Sequence, residues 1–155
     1  MMTFGPPERV YVEHDRYDGP LTGIADVAGV PHRFARRWTE ADDDHATDFF
    51  IWPIAPEELQ LEQERWRIFV AWNRRYEAGE ADVSTHPGRG GIDVRWDHLD
   101  AILRDRYLPP ADGVRRATLE LVRIDRVERF ADSGPDYALR WAVLEEGRHG
   151  RAEIQ

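Results

Sequence analysis

The sequence contains no cysteine. This excludes disulfides, thiolate nucleophiles, iron–sulfur clusters and every cysteine-based zinc site. Lysine is missing as well: all 21 residues of the Lys/Arg class are arginine, so P-loop, kinase-type and Schiff-base lysines are excluded too. Serine occurs only as Ser84, in DVSTHPG, and Ser133, in ADSGPD, and neither lies in a G-x-S-x-G nucleophile elbow. No stretch approaches the roughly 18 apolar residues of a membrane span, and the N-terminus MMTFGPPERV has no apolar signal segment. The expectation is a soluble cytoplasmic protein with no membrane partner. His, Asp, Glu, Tyr, Thr and Arg are left to carry any chemistry.

What is present is ordinary for a folded chain: 155 residues, 41% hydrophobic, 11% aromatic and 33% charged. That length buries a core without covalent staples and fits one domain, expected over residues 1–144 with a polar tail at 145–155. The net charge of −9 makes nucleic acid an unlikely main partner.

Periodicity predicts an α+β fold. Residues 21–27 and 32–38 read as a β-hairpin around the turn Ala28-Gly29-Val30-Pro31, with Val27 opposite His32 and Arg36 opposite Gly23. Leu21, Ala25, Val27, Phe34 and Trp38 then share a core face. Residues 10–13 read as a short strand before the hairpin and residues 48–54 as a third long strand after it. Pro56 with Glu57 and Glu58 opens a long helix that Gly79 ends. Its apolar residues, from Leu59 and Leu61 through Trp66, Phe69 and Val70 to Tyr76, cover more than one stripe and predict contacts on two sides. A shorter helix carries Trp96, Leu99, Ile102, Leu103 and Tyr107, with Asp93 as its N-cap. The last third alternates again, at Ala117, Leu119 and Leu121 and at Tyr137, Leu139, Trp141 and Val143. A parity change at Val122 and Ile124 predicts a bulge or break there. The sum is an antiparallel or mixed sheet of about five strands, covered on one face by two helices.

No residue set carries a catalytic signature. The leading site alternative places His14, Asp18 and His32 together at the end of the N-terminal hairpin, as an acid/base pocket. In the competing reading His32 packs in the sheet and Asp26 pairs with Arg33 across the hairpin. An acidic run offers Asp42, Asp44, His45 and Asp48 as metal ligands, although it lacks the glycine and spacing of an EF-hand and a solvated loop is the simpler account, so no metal and no other cofactor is expected. Residues 85–91, THPGRGG, offer amides to an anion, but no strand leads into them. Arg36 and Trp38 in an arginine-rich patch, and Trp66 and Trp72 on the long helix, are candidate anchors for a protein partner or a second copy of the chain.

Residues 17–34, YDGPLTGIADVAGVPHRF, resemble a segment of small uncharacterised bacterial proteins in which Y-D-G-P is followed by G-x-A-D-x-x-G-x-P-H-x-F and a Trp-rich helix. The resemblance spans mainly residues 17–80, follows a hairpin pattern rather than a catalytic one, and implies a bacterial cytoplasmic origin without implying an activity. A small, acidic, Trp- and Arg-rich chain without a catalytic set is expected to be a non-enzymatic interaction module of regulatory or immunity type. The alternative is a small hydrolase or ligand-binding domain built on the His/Asp pocket.

Overall fold

A computed structural model describes residues 3–16, 20–37 and 48–144. The expected tail at 145–155, the acidic residues 40–47, Asp18 and Trp38 lie outside these residues. Six antiparallel strands close into a barrel: β1 (Glu8–Arg16), β2 (Pro20–Val27), β3 (Val30–Arg36), β4 (Asp48–Pro53), β5 (Arg115–Arg123) and, after the short hairpin strands β6 (Phe130–Ala131) and β7 (Gly134–Pro135), β8 (Tyr137–Val143). Helices α1 (Pro56–Glu77) and α2 (Val94–Leu103) are inserted between β4 and β5. The α+β class holds, and the expected antiparallel or mixed sheet of about five strands is an antiparallel sheet of six that closes on itself. Closure rests on two pairings, Glu8 with Leu139 and Arg9 with Ala138. It removes the free edges that an open sheet would expose.

The β2–β3 hairpin is tighter than expected. Val27 pairs with Val30, Ala25 with His32 and Gly23 with Phe34, so the turn is only Ala28-Gly29 and the register is displaced by two residues. A displacement of two leaves each side chain on its expected face, and Ala25, Val27 and Phe34 do enter the core. Both turn residues have positive φ, 53° at Ala28 and 78° at Gly29, as a two-residue turn that matches strand twist requires. Ala28 is held in this unfavourable region by Glu8, whose carboxylate accepts from both turn amides at 2.8 Å.

The barrel is filled by Val10, Ala25, Val27, Phe34, Phe49, Ile51, Ala117, Tyr137, Leu139 and Trp141. Phe34, Phe49 and Trp141 meet edge to face at 5.7–6.3 Å between centroids. A second cluster lies outside the barrel, where Val12 and Ile24 meet Trp66 and Val70 of α1. Val10 and Val12 would share a face in a regular strand; the register irregularity between them sends one inward and the other outward. Gly23 permits the close approach here, since a Cβ on it would lie 2.3 Å from the Val12 carbonyl oxygen. Of the bulge or break expected at Val122 and Ile124, the structure has the break: β5 and β8 pair in unbroken register from Ala117–Val143 to Arg123–Tyr137, and the strand ends before Ile124.

Helix α1 opens as anticipated, with Pro56 at its start and Glu57 and Glu58 in the first turn. It contacts β1, β6 and α2. Asp93 caps α2 by accepting from the Trp96 amide at 2.8 Å. No described helix is long and apolar enough to cross a membrane.

Candidate functional site

The inward stripe of α1 changes character along its length. Its C-terminal half presents Trp66, Phe69 and Val70, but one and two turns earlier the same face presents Glu62 and Glu58, with Arg65 beside them. Glu62, Arg65 and Arg33 are 0%, 4% and 1% exposed. Buried charges persist only when partnered, and here they partner one another. Arg33 Nη2 donates to Glu58 at 2.6 Å and to Glu62 at 2.7 Å. Arg65 donates to the other Glu62 oxygen at 3.0 Å, to Asp100 of α2 at 2.8 Å and to the Tyr107 hydroxyl.

His14, projecting from β1, completes the set with its Nε2 atom 3.1 Å from Glu62 Oε1. The same nitrogen lies 3.5 Å from Arg33 Nη1. It cannot donate to the carboxylate and accept from the guanidinium together, and the shorter contact to an ionised oxygen wins. Nε2 therefore carries the proton toward Glu62, which leaves Nδ1 as the basic atom of the neutral ring. Burial pushes the Glu62 carboxyl up, but His14, Arg65 and Arg33 together outweigh it and hold the group well below the usual carboxylate range. Burial pushes the Tyr107 hydroxyl up, reinforced by Glu62.

Of these groups, His14, Glu62, Arg65, Asp100 and Tyr107 line one wall of a cavity of ≈ 340 Å³ between β1, α1, α2 and the β6–β7 hairpin. The other wall is aromatic: Trp66, Phe69 and Phe130 pack with ring centroids 4.9–5.5 Å apart, and Trp96 and His86 close the side. The Trp66 indole N–H is satisfied by the Ala131 carbonyl at 2.7 Å. Glu13 also faces the cavity, held by Arg129 at 2.9 Å and the Tyr137 hydroxyl at 2.6 Å. A second cavity of ≈ 370 Å³ has Arg33, Thr22 and Phe34 in its wall and shares His14 and Tyr107 with the first. The His14 and Tyr107 rings meet edge-on at 5.0 Å and form the partition between the two spaces.

Of the expected acid/base trio, His14 faces this site and His32 does not, and Asp18 lies outside the described residues. His32 alternates with Arg33 along β3 and so points to the opposite face of the sheet. Its Nδ1 lies 2.7 Å from the Val30 carbonyl and its Nε2 3.1 Å from Arg115. Burial lowers its pKa, with Arg115 adding to the effect. A satisfied neutral core histidine is the result. The expected Asp26–Arg33 pair does not form, because Asp26 accepts from the Tyr11 hydroxyl at 2.9 Å and Arg33 turns to α1.

Trp66 is 4% exposed and belongs to the cavity wall, so it offers no surface to a protein partner. Trp72 stacks on Tyr76 at 5.1 Å and bonds Thr85 at 3.0 Å, fastening the 83–89 segment to α1. Arg36 is half-buried on β3 opposite Phe49. Asp48 lies between Arg37 at 2.9 Å and Arg116 at 3.1 Å; burial raises its carboxyl, but these arginines hold it below its usual value. The other candidate metal ligands, Asp42, Asp44 and His45, lie outside the described residues, and no cluster of three His, Asp or Glu among the described residues is arranged around a metal site. In the 85–91 loop the amides of Gly88, Gly90 and Gly91 are taken by His86, Pro87 and Asp97, which removes the donors an anion would need.

The groups missed at the sequence level are Glu58, Glu62, Arg65, Asp100 and Tyr107. One signal pointed to them: position 62 lies one helical turn before Trp66 on the buried stripe, where an apolar residue belongs, and is Glu. Comparison of the chain with protein-family models, with curated proteins and with solved structures found no match.

Proposed function

We propose that this protein binds a small organic molecule in the groove between β1, α1 and α2, and that His14 exchanges a proton with it. The observation that carries this reading is Glu62, fully buried and 3.1 Å from His14 Nε2 on the wall of a ligand-sized cavity. Three acids and two arginines are a poor way to stabilise a helix–sheet contact, since apolar side chains of similar volume do so at least as well. They are a good way to orient an imidazole and to stabilise its cation when it takes a proton.

Among the described residues the first cavity's lining includes no Ser, Thr or Cys, and the proposed chemistry is activation of a water molecule or of the ligand itself by His14. In hydrolysis, His14 Nδ1 takes a proton from water as its oxygen attacks. The resulting imidazolium keeps its Nε2–H on Glu62 and returns a proton to the leaving group. Ester and amide turnover should vanish in His14→Gln, and Glu62→Gln should move the acid limb of the rate profile. A fragment screen that leaves the melting temperature and cavity resonances unchanged would sink the ligand reading.

A second reading is the regulatory or immunity-type interaction module. Its support is the run of exposed apolar side chains along and beyond α2: Val94 at 80%, Ile102 at 49% and Leu108 at 74% exposure. Light scattering tests the homodimer, and capture from the native host tests a different protein partner.

A further inference from the structure

The reading of the groove as a ligand site leaves open what it would accept, and the charge inventory narrows the choice. Each guanidinium near the first cavity already has two carboxylates: Arg33 has Glu58 and Glu62, and Arg65 has Glu62 and Asp100. The fourth nearby acid, Glu13, is held by Arg129. Among the described residues that line the cavity, three are acids, Glu13, Glu62 and Asp100, and one is an arginine, Arg65, with His14 beside them.

An incoming anion would have to take Arg65 from Glu62 or Asp100 and leave like charges facing each other in a half-enclosed space. A cation or a neutral N–H donor displaces nothing. It meets Asp100, whose side chain is 45% exposed and whose second oxygen has, among the described residues, only Arg104, 3.9 Å away and 71% exposed. The opposite wall of Trp66, Phe69 and Phe130 calls for a ring, because offset and edge-to-face contacts are what such walls offer.

We infer that the groove takes a flat ring compound bearing a neutral or positively charged nitrogen group directed at Asp100, and that it discriminates against the corresponding carboxylic acids. This rests on the groove being a ligand site, and the experiment separates the two claims. The intact protein, labelled so that the indole N–H signals of Trp66 and Trp96 are resolved by NMR, is titrated near neutral pH with two matched sets: tryptamine, indole-3-acetamide and indole-3-acetate; benzylamine, benzamide and benzoate.

The expected result is perturbation of the cavity signals by the amines and amides, with an amine about tenfold or more tighter than its matched acid. Asp100→Asn should erase that preference, lowering the affinity of the amines far more than that of the amides, and Asp100→Glu should restore it. A folded Asp100→Asn protein that retains the preference overturns the role of Asp100. Equal or tighter binding of the carboxylates overturns the charge inference and leaves the ligand site standing. Silence from all six probes overturns both.

Discussion

The barrel interior and the groove outside it are buried to the same depth but by different means. Phe34, Ile51 and Leu139 are 0% exposed, and so is Glu62, with Arg33 at 1%. Inside the barrel, the polar atoms of the aromatic residues are tied to its rim, Trp141 Nε1 to the Asp26 carbonyl and the Tyr137 hydroxyl to Glu13, and packing does the rest. In the groove, burial is tolerated because each charge has opposite charges within hydrogen-bond distance. The first arrangement, His32 apart, is insensitive to pH and sensitive to volume. The second reverses both sensitivities, which is what a site that handles protons requires.

Substitutions on either side should therefore fail differently. The largest effect is expected from Phe34→Ala, which removes the ring that Phe49 and Trp141 pack against; about 3–5 kcal/mol of stability should go. Urea unfolding should show that loss as nearly the same at pH 5 and pH 8. A loss that varied strongly with pH would contradict the account of the interior as pure packing.

Glu62→Gln conserves volume, yet should remove about 2–4 kcal/mol near neutral pH, because Arg33 and Arg65 both lose charge compensation. Its signature is the pH dependence. The folded carboxyl of Glu62 is held below its ordinary 4.5, so its contribution is complete above that value and is lost as pH falls toward the folded value. The parent protein should lose stability steeply below about pH 4.5, and Glu62→Gln should lose it less steeply. Identical acid limbs would show that Glu62 does not carry the network's charge.

Much of the barrel was legible in the sequence and almost none of the groove was. Strands announce themselves by alternation, and Ala25, Val27 and Phe34 could be placed inward because a two-residue register error does not change the face. Closure was not legible, since it depends on two pairings between residues about 130 apart in the chain. In the groove, His14 was visible as a candidate because histidine is scarce and chemically versatile. Its partner was sought among nearby acids, whereas it came from a helix 48 residues on. Arg33 was matched with Asp26 by cross-strand logic, although a long guanidinium on an outward face reaches whatever element covers that face. The Glu62 position held the clue: a charged residue in register with a buried stripe signals either solvent or a network, and only the tertiary structure tells which.

A smaller effect is expected from the neutral histidines. Burial lowers the pKa of His32, with Arg115 contributing, and burial and Arg89 lower that of His86. Each is more readily protonated in the unfolded chain, so its contribution is whole above the ordinary 6.5 and is lost as pH falls below it. His32→Gln should flatten the stability profile between about pH 6.5 and 5. His14→Gln should leave the Phe34 cluster unchanged and act on ligand handling, and an equal loss of stability in the two variants would erase the distinction between core and site histidines.

The smallest effect is the most instructive about what makes the groove different. Arg95 and Glu64 form the shorter of two comparable pairs, at 2.5 Å against 3.0 Å for Arg65 and Glu62. Distance alone would rank the first above the second. But the Arg95 and Glu64 side chains are 48% and 36% exposed, against 4% and 0%, and water screens the first pair while releasing either partner to solvent when the other is removed. Removing Arg65 instead strands Glu62 and Asp100 beside a cavity. Arg95→Gln should accordingly leave the melting temperature and probe binding within measurement error, while Arg65→Gln lowers both stability and affinity. If Arg95→Gln were the more damaging, enclosure would not be what gives the Glu62 network its strength, and the case for a built site around His14 would lose its physical basis.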